Sequence, residues 1–116
     1  MKVLIIDDHN FRHESISKKY IGDDIDHAYK FADACQLLST TKYDIVQLDH
    51  DLGDFTGENG RDLTGYDIML YLVKFVDIEI WPTYIVIHTG NNVGAYNIKQ
   101  LLTNYGISCI IEPFRG

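Results

Sequence analysis

Unbroken apolar runs alternate with stretches of helical periodicity along the whole chain. Lys2 to Ile6 carries Val3-Leu4-Ile5-Ile6 without a polar interruption, which predicts a strand buried on both faces. Phe11, Ile16 and Tyr20 then predict the apolar stripe of a helix capped by Asp8 or Asn10, and Gly22 with Asp23-Asp24 closes it. Ile25 to Ala28 reads as a short second strand. Phe31, Ala34, Leu37 and Leu38 share one face of a second helix, which Ser39 to Lys42 end. Tyr43 to Leu48 is the third strand. After a long loop, Thr64 caps a helix from Gly65 to Val76 that is apolar on almost every side. Pro82 precedes the fourth strand, Thr83 to Ile87. Val93, Tyr96, Ile98, Leu101, Leu102 and Tyr105 supply the expected buried positions of the next helix, and Gly106 stops it. Ile107 to Ile111 is a fifth strand. Regular alternation of strands and helices predicts an α/β fold with a parallel sheet and right-handed crossovers.

Composition narrows the reading. At 116 residues and 46% apolar, the chain forms one domain over 1–116 and can bury a core. Ten basic against seventeen acidic residues, a net charge of −7, exclude an extended nucleic-acid surface but leave room for a nucleotide bound through a metal. Cys35 and Cys109 lie far apart and read as reduced core residues of a cytoplasmic protein. Met1 runs straight into a strand, so no signal peptide is expected. Ile68 to Val76, interrupted by Lys74, is too short to cross a membrane. The excess apolar surface of the 66–76 helix predicts either deep packing or a contact between copies of the chain.

Two of the buried strands end in acids. The first runs into Asp7-Asp8-His9, the third into Leu48-Asp49-His50-Asp51-Leu52-Gly53. Parallel sheets place ligand sites at the carboxyl ends of their strands, so these acids predict a divalent-metal or phosphoryl site. His50 to Thr64 exceeds the roughly 2–6 residues usual for such a loop and is either a mobile lid or an insertion. His88-Thr89-Gly90-Asn91-Asn92 turns into a helix start. Its backbone N–H groups suit an anion, although Asn91 or Asn92 also serves as an ordinary cap.

Asp-Asp after the first strand, Asp after the third, Thr-Gly after the fourth and Pro-Phe after the fifth resemble a response-regulator receiver domain. The segments Leu48-Asp49-His50-Asp51-Leu52-Gly53, Thr64-Gly65-Tyr66-Asp67 and His88-Thr89-Gly90-Asn91-Asn92-Val93-Gly94 more closely resemble the cyclic-phosphate-processing receiver domains of bacteria and phages. The resemblance implies a flavodoxin-like sheet of five parallel strands in the order 2-1-3-4-5. It implies Mg2+ at Asp7 and Asp8, a phosphoacceptor position at Asp49, a metal contact from the Asp51 carbonyl and a switch hydroxyl at Thr89. It also implies action on cyclic phosphates, in RNA repair or phage–host conflict. Two departures stand out. Receivers carry a lysine where this chain has Glu112, and a carboxylate there repels a phosphoryl group, which counts against phosphorelay. Receivers also continue into a fifth helix, which this sequence lacks; a sheet face left bare is a second candidate for contact between copies.

In that strand order Asp7, Asp8, His9, Asp49, His50, Asp51, His88 and Thr89 crowd one crevice. Four carboxylates cannot all stay ionised there without a cation or raised pKa values. Asp7, Asp8, Asp49 and Asp51 are therefore the expected ligands of Mg2+ or Mn2+; an inward His50 or His88 would instead favour Mn2+, Zn2+ or Fe2+. One of Asp7 and Asp8 also reads as a helix cap. Thr89, Gly90, Asn91 and Asn92 are the expected phosphate contacts, and Asp49, His50, His88 and Thr89 the catalytic candidates, with His88 able to protonate a leaving alkoxide. His50 alternatively orients Asp49. His9 is a ligand or an exposed helix-start residue, His13 and His27 read as surface structural residues, and Arg61 as a surface ion pair that can swing onto a phosphate. The leading expectation is a metal-dependent phosphoesterase acting on a small, phosphate-containing ligand. A catalytically inactive receiver-like module acting through a partner is the alternative. A haloacid-dehalogenase-type phosphatase also uses Asp-x-Asp, but after its first strand and with a later lysine, so it fits less well.

Overall fold

The computed structural model describes residues 1–113. Five strands, β1 (Lys2–Ile6), β2 (Asp24–Ala28), β3 (Ile45–Leu48), β4 (Tyr84–Ile87) and β5 (Ser108–Ile111), form one parallel sheet in the order β2-β1-β3-β4-β5. The described residues hold four α-helices, α1 (Asn10–Ser17), α2 (Phe31–Thr40), α3 (Gly65–Phe75) and α4 (Asn92–Asn104). This is the receiver-like α/β arrangement expected above. Alternate residues of a strand face opposite sides. Leu4 and Ile6, with Val46, Leu48, Ile85 and Ile87, therefore join the core built with α2, α3 and α4. Val3 and Ile5 make a second cluster with Ile16 and Tyr20 around α1.

Register decides where the site lies. Ile6 pairs with Leu48, Leu48 with Ile87, and Ile87 with Ile111. The residues that follow, Asp7, Asp49, His88 and Glu112, hence leave the sheet side by side. The ladder continues through them, with Asp49 N–H donating to Ile6 O, His88 N–H to Leu48 O and Glu112 N–H to Ile87 O.

Three expectations about the helices are corrected. Asp8 and Asn10 do not cap α1: His9 occupies the cap position without a side-chain bond, and the Asp7 carboxylate accepts the His9 N–H at 2.9 Å. Phe11 is exposed rather than part of the stripe, because its ring lies beneath the Arg12 guanidinium, 5.8 Å from the centroid, while His13 and Ile16 take the buried positions. In α4, Val93, Tyr96 and Tyr105 are exposed, and the buried stripe is Gly94, Ala95, Ile98 and Leu102. Gly94 opens that stripe without a side chain because the His50 ring packs against it. The long loop is a folded insertion. Leu52 and Leu63 are buried, Asp54 and Leu63 form an antiparallel bridge, and the Asp54 carboxylate accepts the Phe31 N–H at 3.0 Å. In α3, Ile68, Met69 and Leu72 are buried while Phe75 is exposed.

The stripe assignment makes a paired prediction. Ile98→Ala should lose about 2–5 kcal/mol of stability in urea unfolding. Val93→Ala should change it by no more than about 0.5 kcal/mol.

Candidate metal and phosphate site

The sheet edge gathers three carboxylates. Asp7 and Asp49 follow buried apolar residues in register and are themselves buried, and Asp8 is half-buried beside them. One oxygen from each lies within 4.8 Å of the others. Asp8 Oδ1 is buried and has no hydrogen-bond partner among the described residues; its nearest base is His9 Nε2, at 3.6 Å. An all-oxygen donor set with an unsatisfied buried oxygen suits a hard divalent cation. The Asp51 carboxylate stands outside this trio, 61% exposed, and accepts from His50 Nδ1 at 2.9 Å.

Electrostatics differ between the two buried acids. Burial pushes the Asp49 carboxyl up to about 6, and the negative charge of Asp7 adds to it, against smaller opposing effects of His88 and Arg12. Burial would raise Asp7 as well, but the His88 hydrogen bond, the His9 N–H and the charges of His88 and Arg12 outweigh it and hold Asp7 below the usual carboxylate range. His88 Nε2 donates to Asp7 Oδ2 at 2.9 Å, and its buried Nδ1 has no hydrogen-bond partner among the described residues. In this arrangement His88 orients Asp7, its Nε2–H donating to that carboxylate.

Two glycines allow the remaining pieces to close in. A Cβ on Gly65 would fall 2.1 Å from Asp49 O, so only glycine lets the start of α3 seat against the end of β3, where Gly65 N–H donates to His50 O. A Cβ on Gly94 would fall 2.6 Å from the His50 ring. His50 is thus clamped between α3 and α4. It borders an open groove of about 560 Å³ that Tyr66, Asn97 and Gln100 also line. Thr89 is buried, its Oγ1 accepting the Asn91 N–H at 3.1 Å. Asn91 caps α4 by accepting the Gly94 N–H at 2.9 Å, Gly90 borders open space, and Asn92 is the exposed first residue of the helix.

Other candidates lie further out. His9 is exposed. Arg61 pairs with Asp67 at 3.1 Å, and Glu112 with Lys19 at 3.0 Å. His13, expected on the surface, is buried. Its Nε2 donates to Asp7 O at 2.7 Å, and its Nδ1 lies 2.8 Å from Nδ1 of the exposed His27. Sequence reasoning missed Arg12, whose Nη1 lies 3.4 Å from Asp49 Oδ2 and 3.6 Å from Asp7 Oδ2. Its signal was its place one turn into the helix that follows Asp7-Asp8. The Lys30 side chain was also missed; it donates to Leu52 O at 2.7 Å and ties α2 to the loop after β3.

The profile of the cyclic-phosphate processing receiver domain matches residues 1–104. A response regulator from Burkholderia pseudomallei, solved with a phosphorylated aspartic acid, a calcium ion and citrate, superposes with a TM-score of 0.69 at 18% identity, over 98% of this chain and 61% of that one. This chain therefore spans 61% of that relative's length. A CheY-like receiver domain from Methylobacillus flagellatus gives a TM-score of 0.70 at 20% identity, over 97% and 85% of the two chains. Another, from Methanospirillum hungatei, gives 0.65 at 14%, over 98% and 82%. At such identities the likeness is one of fold. No curated protein sequence matches.

Two predictions follow from this geometry. Because folding raises the Asp49 pKa, the folded state binds that proton more tightly than the unfolded chain. The stability from Asp49 is thus full below its ordinary value of 3.8 and is lost as pH rises toward about 6. Above that, ionised Asp49 costs roughly 3 kcal/mol in metal-free protein. Urea unfolding in a chelator should show Asp49→Asn more stable than wild type by roughly that amount at pH 8. The two should converge near pH 4, with groups such as His27 cancelling in the comparison. Gly65→Ala should lose about 1–3 kcal/mol by displacing the Asp49–His50 backbone; a thermal melt at unchanged midpoint would contradict the close approach.

Proposed function

The chain belongs to the cyclic-phosphate processing receiver domain family, and on that premise we propose that its crevice holds a divalent cation, Mg2+ or Mn2+, and processes a small cyclic phosphoester. The carrying observation is the trio Asp7, Asp8 and Asp49, with oxygens within 4.8 Å at the edge of a buried sheet. A bound cation supplies the positive charge that lets a phosphate approach three carboxylates. The chain's own residues do the rest. Asp7, oriented by His88, and Asp49 define one side of the crevice, and Asp8 brings an oxygen with no competing hydrogen bond among the described residues. The Asp51 carboxylate is engaged by His50, whereas its main-chain carbonyl is the contact receivers use and would be the one offered to a cation here. Thr89, Gly90, Asn91 and Asn92 lie at the start of α4, where helix N–H groups favour a phosphate. His50, with a ring clamped by Gly94, is the candidate to position water or a leaving oxygen. The groove beside it leaves room for the rest of a nucleotide.

A second reading, a non-catalytic module acting through a second copy or another protein, draws on Phe75. Its ring is exposed at the end of α3 and lies 5.4 Å from that of Tyr71. No helix among the described residues is long and apolar enough to cross a membrane.

Hydrolysis of 2′,3′-cyclic and 3′,5′-cyclic nucleotides with Mg2+ or Mn2+ tests the leading reading. Wild type should turn over at least one of them, and Asp49→Asn should lose about 100-fold or more of that rate. Absence of turnover with either metal, in protein shown to be folded, would overturn the catalytic reading. A stable dimer that Phe75→Ala dissolves would then support the second.

A further inference from the structure

Arg12 brings a permanent positive charge to an edge otherwise lined with acids. Where β1, β3, β4 and β5 end in register, the emerging residues are Asp7, Asp49, His88 and Glu112. The Glu112 carboxylate is engaged outside the crevice by Lys19, at 3.0 Å. The cation at Asp49 comes instead from α1, one turn after the acidic pair. Arg12 Nη1 stands 3.4 Å from Asp49 Oδ2 and 3.6 Å from Asp7 Oδ2, with 27% of the side chain still exposed. Phe11 supports the guanidinium from below. Both contacts are longer than the roughly 2.7–2.9 Å of a committed charge-assisted bond. A guanidinium standing over two carboxylates, and reachable from solvent, is well placed to meet phosphate oxygens brought to Asp49.

We propose that Arg12 is the phosphate-contacting cation of this crevice, its planar fork taking non-bridging oxygens of a phosphate held at Asp49. The inference rests on the phosphate reading given above. It replaces a charge that receivers draw from the end of strand five with one drawn from the first helix. It also assigns specificity: a fork reads two oxygens at once, so tetrahedral oxyanions are favoured over single-charge ligands such as chloride. A purely structural Arg12, serving as counter-ion to Asp7 and Asp49, makes the opposite prediction. Removing it would leave phosphate binding intact and only make room for the metal.

Calorimetric titration with Mn2+ alone, then with inorganic phosphate at saturating Mn2+, separates the two. Arg12→Ala should bind Mn2+ at least as tightly as wild type and phosphate about 10-fold or more weakly. Arg12→Lys should recover only part of that loss, because an ammonium cannot make the forked contact. Equal phosphate affinity in wild type and Arg12→Ala overturns the Arg12 assignment while leaving the phosphate site standing. No phosphate binding by wild type overturns both. If Arg12→Ala fails to fold, Arg12→Lys decides: phosphate affinity equal to wild type overturns the assignment, and a loss of 3-fold or more at unchanged Mn2+ affinity supports it.

Discussion

Three carboxylates converging at the edge of a buried sheet is the constraint around which the rest of this domain is arranged. Asp7 and Asp49 are placed there by strand register, because Ile6 pairs with Leu48 and the chain of each continues one residue further. Their proximity in a site of low dielectric would be costly if both were ionised. The structure divides the burden unequally. His88, the His9 N–H and Arg12 stabilise charge on Asp7, while burial and Asp7 itself push Asp49 up to about 6. Metal-free, the pair is comfortable with one charge; a cation makes room for two.

The surrounding elements hold this arrangement in place. Gly65 lets α3 close against the Asp49 carbonyl, Gly94 lets α4 close against the His50 ring, and Lys30 and Asp54 stitch the inserted loop to α2. His13 fixes the Asp7 carbonyl from beneath. The carboxylates are therefore positioned by backbone contacts and close packing rather than by one another. Membership of the cyclic-phosphate processing receiver family and a CheY-like fold fit the same geometry.

Much of this was legible in the chain itself. Val3-Leu4-Ile5-Ile6 is continuously apolar and Ile45-Val46-Gln47-Leu48 nearly so, as central parallel strands are, and the acids at their ends mark the edge. Helix faces were less legible. Phe11, Val93, Tyr96 and Tyr105 have the right hydrophobicity for a core, but periodicity cannot show that Gly94 holds a buried position because a histidine ring from another loop needs the space. Arg12 and His13 were harder to read for a related reason. Their roles depend on which side of α1 faces the sheet edge, and a short helix with mixed polarity does not announce it. The Asp51 carboxylate was drawn into the expected metal set by its spacing from Asp49, yet two residues further along it points to solvent and His50.

The central proposal, that Asp49, its carboxyl raised to about 6, is a ligand of a divalent cation, is tested most directly by the protons released when the cation binds. Titrating Mg2+ into the metal-free protein by calorimetry, in two buffers of different ionisation enthalpy, counts them. With Asp49 titrating at about 6, binding at pH 6 should release about half a proton, falling to almost none at pH 8. Mg2+ binding with no proton released at pH 6, or no binding at either pH, would contradict the account.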